Sequence, residues 1–263
     1  MEINQHSNEQ IKKIAQIPKE KWDNLARKKI FFGHQSLGNN IVSGINELKS
    51  NNMQIQLNLV ETKSRKDFEK AIFAHYSNIG KNNNPISKID DFIQIMHDGL
   101  GNKLDIAFLK FCFVDFKSGA DIETTFKKYR ESMDELKTRY PGMTIVHFTV
   151  PLLIKEQVGI VKSVKNFIRG IRGEKKDNFF SNSHNAVRNE YNKLLLSHYG
   201  GKEPIFDIAR LEATHSTGKR EIFSYDGNEY YALVPEYTKD GGHLNEKGRK
   251  YIAKQLLIFL INL

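Results

Sequence analysis

Short runs of β-branched and aromatic residues alternate along this chain with longer segments in which apolar residues recur every three or four positions. The runs occupy residues 29–32, 55–60, 104–111, 143–150 and 204–208. Between the third and fourth runs, one helical face carries Ile122, Phe126, Tyr129, Met133 and Leu136. Such alternation is typical of βαβ units, whose parallel strands are buried between helices on both faces. The sequence therefore predicts an α/β fold built on a parallel sheet of five strands.

The length and composition of the chain fit a single domain of this kind. Of its 263 residues, 39% are hydrophobic, which excludes a disordered chain and allows a substantial core. Because there is no internal repeat and no linker, residues 1–263 are predicted to form one domain. Within it, residues 1–28 are expected to be an N-terminal helical extension. The dipeptide Asp226-Gly227 between β-prone flanks predicts a hairpin insertion over residues 215–237.

The basic residues of the chain are not distributed as in a nucleic-acid-binding protein. Forty lysines and arginines face 31 aspartates and glutamates, a formal net charge of +9. They are dispersed, with no run of five or six, no zinc-finger spacing and no aromatic RNA-binding signature. Lysines solvated on helix faces explain the pattern better, so no nucleic-acid partner is expected. The sole cysteine, Cys112, excludes a disulfide within the chain.

The ends of the sequence set an expectation for its location. The first ten residues are polar and mixed in charge, and no stretch of about 20 apolar residues occurs. We therefore expect no signal peptide in this sequence and no transmembrane segment. The cytoplasm is the default compartment, and secretion is the alternative if a signal has been removed. The oligomeric state is left open.

A serine lies at the exit of the first predicted strand, in the segment Gly33-His34-Gln35-Ser36. Ligands of open parallel sheets bind at the carboxyl ends of the strands. There the Ser36 hydroxyl would project from the strand end, and its amide would lie at a helix N-terminus, which favours negative charge. The alternative is that Ser36 is only a helix N-cap and His34 only a loop residue.

A second cluster precedes the last predicted helix, in the segment that contains Asp240, Gly241, Gly242 and His243. Aspartate and histidine three positions apart across two glycines can fold back on each other. The carboxylate could then accept a hydrogen bond from the imidazole and leave the other ring nitrogen free as a base. A glycine-rich turn with Asn245 as helix N-cap is the alternative. No metal is predicted, because no third ligand has suitable local spacing.

Together these two segments resemble the SGNH (GDSL-like) hydrolase family, whose members are esterases and lipases. The resemblance runs from about residue 29 to residue 263 and implies a three-layer α/β/α sandwich of the flavodoxin-like type. The family's first block normally reads Gly-Asp-Ser, so residues 33–36 are similar to a divergent bacterial branch. The final block, Asp240-Gly-Gly-His243-Leu-Asn-x-x-Gly248, matches more strongly.

The resemblance also implies roles for individual residues. Ser36 would be the nucleophile, His243 the general base and Asp240 its orienting partner. The family's middle blocks supply a glycine amide and an asparagine side chain to the oxyanion hole, together with the amide of the nucleophile. Gly80 is the candidate for the glycine, whereas no asparagine follows the third predicted strand. Asn82 could serve in its place, or the hole could have only two backbone donors.

Other polar residues near strand exits are candidates for substrate binding. His34, His75 and Lys110 could line the pocket, and Lys110 could supply charge to the oxyanion; ordinary loop roles are the alternative for the histidines. Cys112 is interpreted as a small core residue, although a catalytic role is conceivable. The hairpin region holds tyrosines that could stack on a sugar or simply pack within the hairpin, namely Tyr225, Tyr230, Tyr231 and Tyr237.

These observations favour a serine hydrolase that cleaves carboxylic esters through an acyl-enzyme. The expected partner is a small-molecule or carbohydrate-linked ester with a short acyl or O-acetyl group, and no cofactor is expected. One alternative is a catalytically impaired protein of the same fold that binds carbohydrate or polyanions. Another is a nucleic-acid binder that uses the basic surface.

Overall fold

A computed structural model of the protein describes residues 14–156 and 180–263. Its central sheet contains five parallel strands: β1 (Lys29–Gly33), β2 (Leu59–Glu61), β3 (Ile72–Tyr76), β4 (Ile106–Leu109) and β5 (Thr144–Ile145). Their order is β2-β3-β1-β4-β5, so β1 lies at the centre. The predicted α/β fold with a five-stranded parallel sheet is confirmed.

The predicted strand at residues 143–150 divides at Val146. Its first half, β5, pairs with β4, whereas its second half, β6 (His147–Phe148), pairs in parallel with β7 (Ile205–Phe206). The Val146 amide donates to the Ala107 carbonyl at 3.0 Å, so the chain stays attached to β4 as it passes towards β7. If the edge strand β2 is left out and β5 and β6 are counted as one strand, the strands lie in the order β3, β1, β4, β5/β6 and β7. Numbered along the chain, this order is 2-1-3-4-5, which is that of flavodoxin-like folds.

The prediction of a strand at residues 55–60 is wrong for most of its length. Only residues 59–61 pair, at the edge of the sheet, while Ile55 and Leu57 are buried without belonging to a strand. The strand next to β1 is instead β3, which the sequence prediction missed. Its sequence, Ile-Phe-Ala-His-Tyr, is short and includes alanine and histidine, which weakens the β-strand signal.

Helices cover both faces of the sheet. The α-helices are α1 (Lys19–Ala26), α2 (Leu37–Asn51), α3 (Pro85–Ile95), α4 (Ile122–Arg139), α5 (Asn182–Tyr199), α6 (Ile208–Glu212) and α7 (Glu246–Ile261). Short 3₁₀ segments span Ile14–Gln16, Arg65–Glu69, Phe113–Asp115 and Pro235–Tyr237, and a π-helical turn, Met96–Leu100, follows α3. Helices α1, α2 and α7 share one hydrophobic core with the sheet, and α3, α4 and α5 share the other. The result is a three-layer α/β/α arrangement.

Alternate residues of the central strand serve the two cores. Ile30 and Phe32 of β1 belong to the core under α2 and α7, whereas Phe31 belongs to the core under α3 and α4. All three are fully buried, as expected for a strand covered on both faces.

Helices α2 and α7 pack closely at Gly44. A Cβ atom at this position would collide with the Arg249 carbonyl and the Ala253 side chain, so only glycine allows this approach. The contact matters for function because α2 begins directly after Ser36 and α7 begins shortly after His243.

The predicted N-terminal extension and hairpin insertion differ in what they contribute. Trp22 and Leu25 of α1 are buried in the same core as α2 and α7, and Pro18 is the N-cap of α1. Residues 1–13 of the predicted N-terminal extension lie outside the described residues. The hairpin consists of β8 (Ile222–Tyr225) and β9 (Asn228–Tyr231), joined by a turn with positive φ at Asp226 and Gly227.

The four hairpin-region tyrosines fall into two groups. Tyr230 and Tyr237 are buried, and Tyr230 packs with Phe223 against Ala186 of α5. Hairpin packing therefore accounts for Tyr230, whereas Tyr237 belongs to the core that α2 and α7 share and stacks on Tyr251 of α7. Tyr225 and Tyr231 are 41% and 44% exposed, so they alone of the four present large faces to solvent.

A buried carboxyl group in α6 predicts an unusual pH dependence of stability. Glu212 is fully buried, and one of its carboxyl oxygens accepts from the Leu152 amide at 3.0 Å. The other oxygen has no hydrogen-bond partner among the residues that the structure describes. Burial raises the pKa of this carboxyl to about 8, although the Leu152 amide and Lys110 lower it. Because the unfolded group ionises near 4.5 and the folded group near 8, the free energy of unfolding should fall as pH rises through that window.

The variant Glu212→Gln removes this titration and keeps an oxygen for the Leu152 amide. Relative to the wild type, it should gain about 3–5 kcal/mol between pH 4.5 and pH 8, with no further gain above pH 8. Urea unfolding of both proteins at pH 5, 7 and 9 measures the difference. Parallel pH profiles would contradict the prediction.

Candidate active site

Ser36 occupies a strained turn between the central strand and the first sheet-covering helix. Its φ is 50° and its ψ −105°, an uncommon conformation for a residue other than glycine. Although Ser36 is the N-cap residue of α2, its side chain makes no capping hydrogen bond. The hydroxyl bonds to His243 Nε2 instead. The structure therefore does not support the alternative in which the hydroxyl serves only as a cap.

His243 and Asp240 form a hydrogen-bonded pair in the loop before α7. His243 Nδ1 lies 2.8 Å from Asp240 Oδ2. The other carboxylate oxygen, Oδ1, accepts from the amides of Gly242 at 2.9 Å and His243 at 2.8 Å. The aspartate thus holds both the ring and the backbone that carries it. Asn245 caps α7 by accepting from the Gly248 amide at 3.0 Å, so the glycine-rich turn and the helix cap coexist with the histidine–aspartate pair.

The environment keeps Asp240 ionised. Partial burial raises the pKa of its carboxyl, but the hydrogen bond from His243 and those from the backbone amides outweigh it and lower the pKa to about 2. An ionised Asp240 accepts the Nδ1 proton, which leaves the lone pair on Nε2 directed at the Ser36 hydroxyl. About one third of each side chain is exposed, 31% for His243 and 32% for Asp240, so a solute can reach the pair.

Several contacts hold the histidine loop in place, one of them with the serine helix α2. The Leu244 amide donates to Asn40 Oδ1 of α2 at 3.2 Å, and the Gly241 carbonyl accepts from the Ile154 amide at 3.0 Å. The Phe113 ring meets the imidazole of His243 edge to face, with 5.5 Å between ring centroids. Residues 207 positions apart in sequence are thereby brought into contact.

Gly80 does not fit its predicted role as an oxyanion donor. Its φ of 53° requires glycine, but its amide donates to Asp91 Oδ2 at 2.9 Å. In this structure the Gly80 amide is therefore engaged by a carboxylate and is not placed to bind an oxyanion. The Gly80 and Ile79 carbonyls instead accept from Gln35 Nε2 at 2.8 and 2.7 Å, which ties this loop to the residue before Ser36.

A buried ion pair holds the next residues of the same loop. Lys88 Nζ lies 2.6 Å from Asp115 Oδ2, and both side chains are fully inaccessible to solvent. The ammonium also donates to Asn82 Oδ1 at 2.9 Å, and Asp115 Oδ1 accepts from the Asn83 amide at 3.0 Å. This network fixes the carbonyl end of the Asn82 side chain, whose NH₂ group has no hydrogen bond to any residue that the structure describes.

His34 lies in the interior and does not line a pocket open to solvent. It is fully buried, and its Nε2 lies 3.3 Å from His75 Nδ1. Burial and the nearby charge of Lys110 lower the pKa of His34 to about 2, which keeps it neutral. His75 belongs to β3, is 8% exposed and has a lowered pKa, mainly through burial. The structure therefore places His34, predicted to contact substrate, in the interior beside His75, which is a buried strand residue.

Lys110 lies beneath the serine turn. It is fully buried, and its Nζ donates to the Gln35 carbonyl at 2.9 Å and lies 3.6 Å from Cys112 Sγ. Burial lowers the pKa of Lys110, an effect that Cys112 partly offsets. The structure therefore places Lys110, predicted to bind substrate, below the surface, where its ammonium contacts the Gln35 carbonyl. Cys112 is buried, as expected for a small core residue.

Sequence reasoning missed residues that support the site rather than form it. Gln35 was recognised only as a departure from the family pattern, and Asp91, Lys88 and Asp115 were not singled out. One signal was present for Lys88: it lies four residues before Phe92, on the helix face that carries the buried residues of α3. A lysine on such a face needs a buried partner.

Residues 14–156 and 180–263 contain no group of three or more histidine, cysteine, aspartate or glutamate residues able to hold a metal ion. Among the helices in these ranges, none combines the length and apolar character needed to span a bilayer.

No protein-family model matches the chain, and no curated protein matches its sequence. Solved structures do resemble it. A protein described as a platelet activating factor from Streptococcus pneumonia is 15% identical over 92% of this chain and 90% of that one, with a TM-score of 0.47. A protein assigned to the lipolytic G-D-S-L family from Desulfitobacterium hafniense DCB-2 is 8% identical over 88% and 99%, with a TM-score of 0.45.

A third structure is the periplasmic domain of a lipopolysaccharide acetyltransferase from Salmonella ser. Paratyphi A. It is 12% identical over 88% of this chain and 82% of that one, with a TM-score of 0.44.

Proposed function

We propose that the protein is a serine hydrolase of the SGNH type that cleaves carboxylic esters. The observation that carries this proposal is the hydrogen-bonded series Ser36 Oγ, His243 Nε2, His243 Nδ1 and Asp240 Oδ2. A serine, its base and the carboxylate that orients the base are the three parts of a catalytic triad. The strained turn at Ser36 adds support, because nucleophilic serines are often held on such turns between a strand and a helix.

In the proposed mechanism, the Ser36 oxygen attacks the ester carbonyl carbon while His243 Nε2 accepts the hydroxyl proton. The tetrahedral intermediate collapses, the bond to the alcohol oxygen breaks, and His243 returns its proton to the leaving alcohol. Water then attacks the acyl-enzyme in the same way, releasing the acid and restoring the Ser36 hydroxyl. Asp240 stays ionised throughout and stabilises the imidazolium.

We assign the oxyanion to the Ser36 amide and the side-chain NH₂ of Asn82. The Ser36 amide lies at the start of α2, where the helix dipole favours negative charge. Asn82 lies two residues beyond Gly80, whose carbonyl accepts a hydrogen bond from Gln35. Lys88 donates to the side-chain oxygen of Asn82. Its NH₂ group is thereby left free to donate to the ester oxygen. It would take the role of the oxyanion-hole asparagine that this sequence lacks after its third predicted strand.

The substrate class that fits best is a small polar ester, such as a short-chain acyl or O-acetyl group on a small molecule or carbohydrate. Residues 81–84, which read Lys-Asn-Asn-Asn, are exposed and follow the loop that Gln35 ties to the serine turn. A polar rim of this kind suits a hydrated acceptor group better than a long acyl chain.

The experiment that tests this function is covalent labelling by a fluorophosphonate combined with turnover of 4-nitrophenyl acetate. Wild-type protein should be labelled at Ser36, as mapped by peptide mass spectrometry, and Ser36→Ala should show neither labelling nor turnover. Comparison with 4-nitrophenyl octanoate tests the preference for short chains. An intact fold without labelling would instead favour a catalytically impaired protein of this fold that binds its ligand.

A further inference from the structure

The carbonyl of Gln35 is the meeting point of three hydrogen-bond donors. It accepts from the Gly38 amide at 3.0 Å, Lys110 Nζ at 2.9 Å and Cys112 Sγ at 3.5 Å. One amide donor is ordinary at the start of a helix. The buried ammonium of Lys110 is not, because placing a charged group away from solvent costs free energy unless it is well bonded.

The same peptide group carries the Ser36 amide at its other end. In a planar trans peptide, the carbonyl of one residue and the N–H of the next point in opposite directions. The donors on the Gln35 oxygen therefore fix the plane in which the Ser36 N–H lies. Among the residues that the structure describes, no atom accepts a hydrogen bond from the Ser36 N–H, so this donor is available to a ligand.

A cation at the carbonyl end changes the amide end in two ways. It draws electron density from nitrogen to oxygen, which makes the N–H a stronger donor, as in any chain of polarised hydrogen bonds. It also contributes positive potential to the start of α2. Because Lys110 is fully buried, solvent does little to screen that potential.

We propose that Lys110 is a positioning residue for the esterase reaction, acting through the Gln35–Ser36 peptide group to orient and polarise the oxyanion-binding amide of Ser36. The inference rests on the proposed function. It assigns to Lys110 a role that differs from contact with substrate, and it accounts for a lysine immediately after β4, where it can reach the central turn.

The test compares Lys110→Met with the wild type. Methionine fills similar space without charge, and the Gln35 carbonyl keeps the Gly38 amide as a donor, so the turn should survive. We expect kcat for 4-nitrophenyl acetate to fall about 10- to 30-fold with KM nearly unchanged, less than the roughly 100-fold or more lost with a whole oxyanion donor. The kcat of Lys110→Gln, which keeps a hydrogen-bond donor without a charge, should lie between those of Lys110→Met and the wild type.

A second readout distinguishes this role from a purely structural one. Phenylboronic acid forms a tetrahedral adduct with a reactive serine, so its inhibition constant should rise by the same factor as kcat/KM falls. The matched control is Lys137→Met, which removes a partly exposed ammonium that pairs with Glu203 at 2.6 Å, away from the serine turn. Its kinetics should stay at the wild-type level.

The outcomes separate the two proposals. Wild-type labelling by fluorophosphonate together with unchanged kcat and boronate affinity in both Lys110 variants would overturn the role of Lys110 and leave the esterase standing. So would losses that follow only the folded fraction, as measured by circular dichroism. An unlabelled, folded wild-type protein would overturn the esterase itself, and the role of Lys110 with it.

Discussion

Replacement of His243 by alanine is expected to lower kcat for ester hydrolysis by about 10⁶-fold, close to the loss for the serine itself. Without the imidazole, nothing in the described site can take the Ser36 proton. The Ser36 hydroxyl loses its hydrogen-bond partner, while Asp240 keeps its bonds to the Gly242 and residue-243 amides. The loop should therefore keep its conformation, and the variant should lose only the general base.

Steady-state turnover of 4-nitrophenyl acetate measures this effect, with the rate of fluorophosphonate labelling as a second readout. His97→Ala provides the matched control. His97 is 24% exposed and its Nε2 lies 3.1 Å from Glu135 Oε1, so it resembles His243 in exposure and in its acidic partner. Among the residues that the structure describes, no serine hydroxyl is hydrogen-bonded to it. Activity in His243→Ala within tenfold of the wild type would exclude this residue as the base.

The second large effect is expected for Asp240→Asn, about 10³- to 10⁴-fold in kcat. The asparagine oxygen can still accept from the Gly242 and His243 amides, so its NH₂ must face His243 Nδ1. The NH₂ group donates a hydrogen bond to Nδ1, whereas the carboxylate accepted one from it. Nδ1 must then be unprotonated, so the imidazole proton lies on Nε2. The ring then presents a donor to the Ser36 hydroxyl and cannot act as a base.

Melting temperature and kinetics together check this reasoning. Asp240→Asn should melt close to the wild type, because its backbone contacts persist, while both turnover and labelling decline. Asp226→Asn, in the exposed hairpin turn, is the control for the same chemical change. A normal rate in Asp240→Asn would show that the aspartate is not needed to set the tautomer of His243.

The layered fold could be predicted because strand-like and helix-like periodicities are properties of local sequence. β3 was missed because pairing with β1 and β2 along its two edges, rather than its own five residues, makes it a strand. Leu57 shows the converse: it is buried as a strand residue would be, yet no neighbouring strand pairs with it.

The candidate site divides in the same way. Asp240 and His243 lie three positions apart, so their pairing could be predicted from local sequence, and Ser36 from its place at a strand exit. The environments of Gly80 and Lys110 could not, since they depend on contacts with Asp91 and Gln35, which are 11 and 75 positions away. Polar residues at strand exits look alike in sequence whether they face solvent or the interior.

The close packing of α2 on α7 has a consequence for when activity can first arise. Ser36 lies in the first βα unit of the sheet and His243 just before the last helix, and the two meet only after those helices have packed at Gly44. A chain emerging from the ribosome therefore carries its serine for most of synthesis without a base. If the protein is the esterase proposed above, its reactivity should appear late and all at once, and a nascent or truncated chain should not hydrolyse esters.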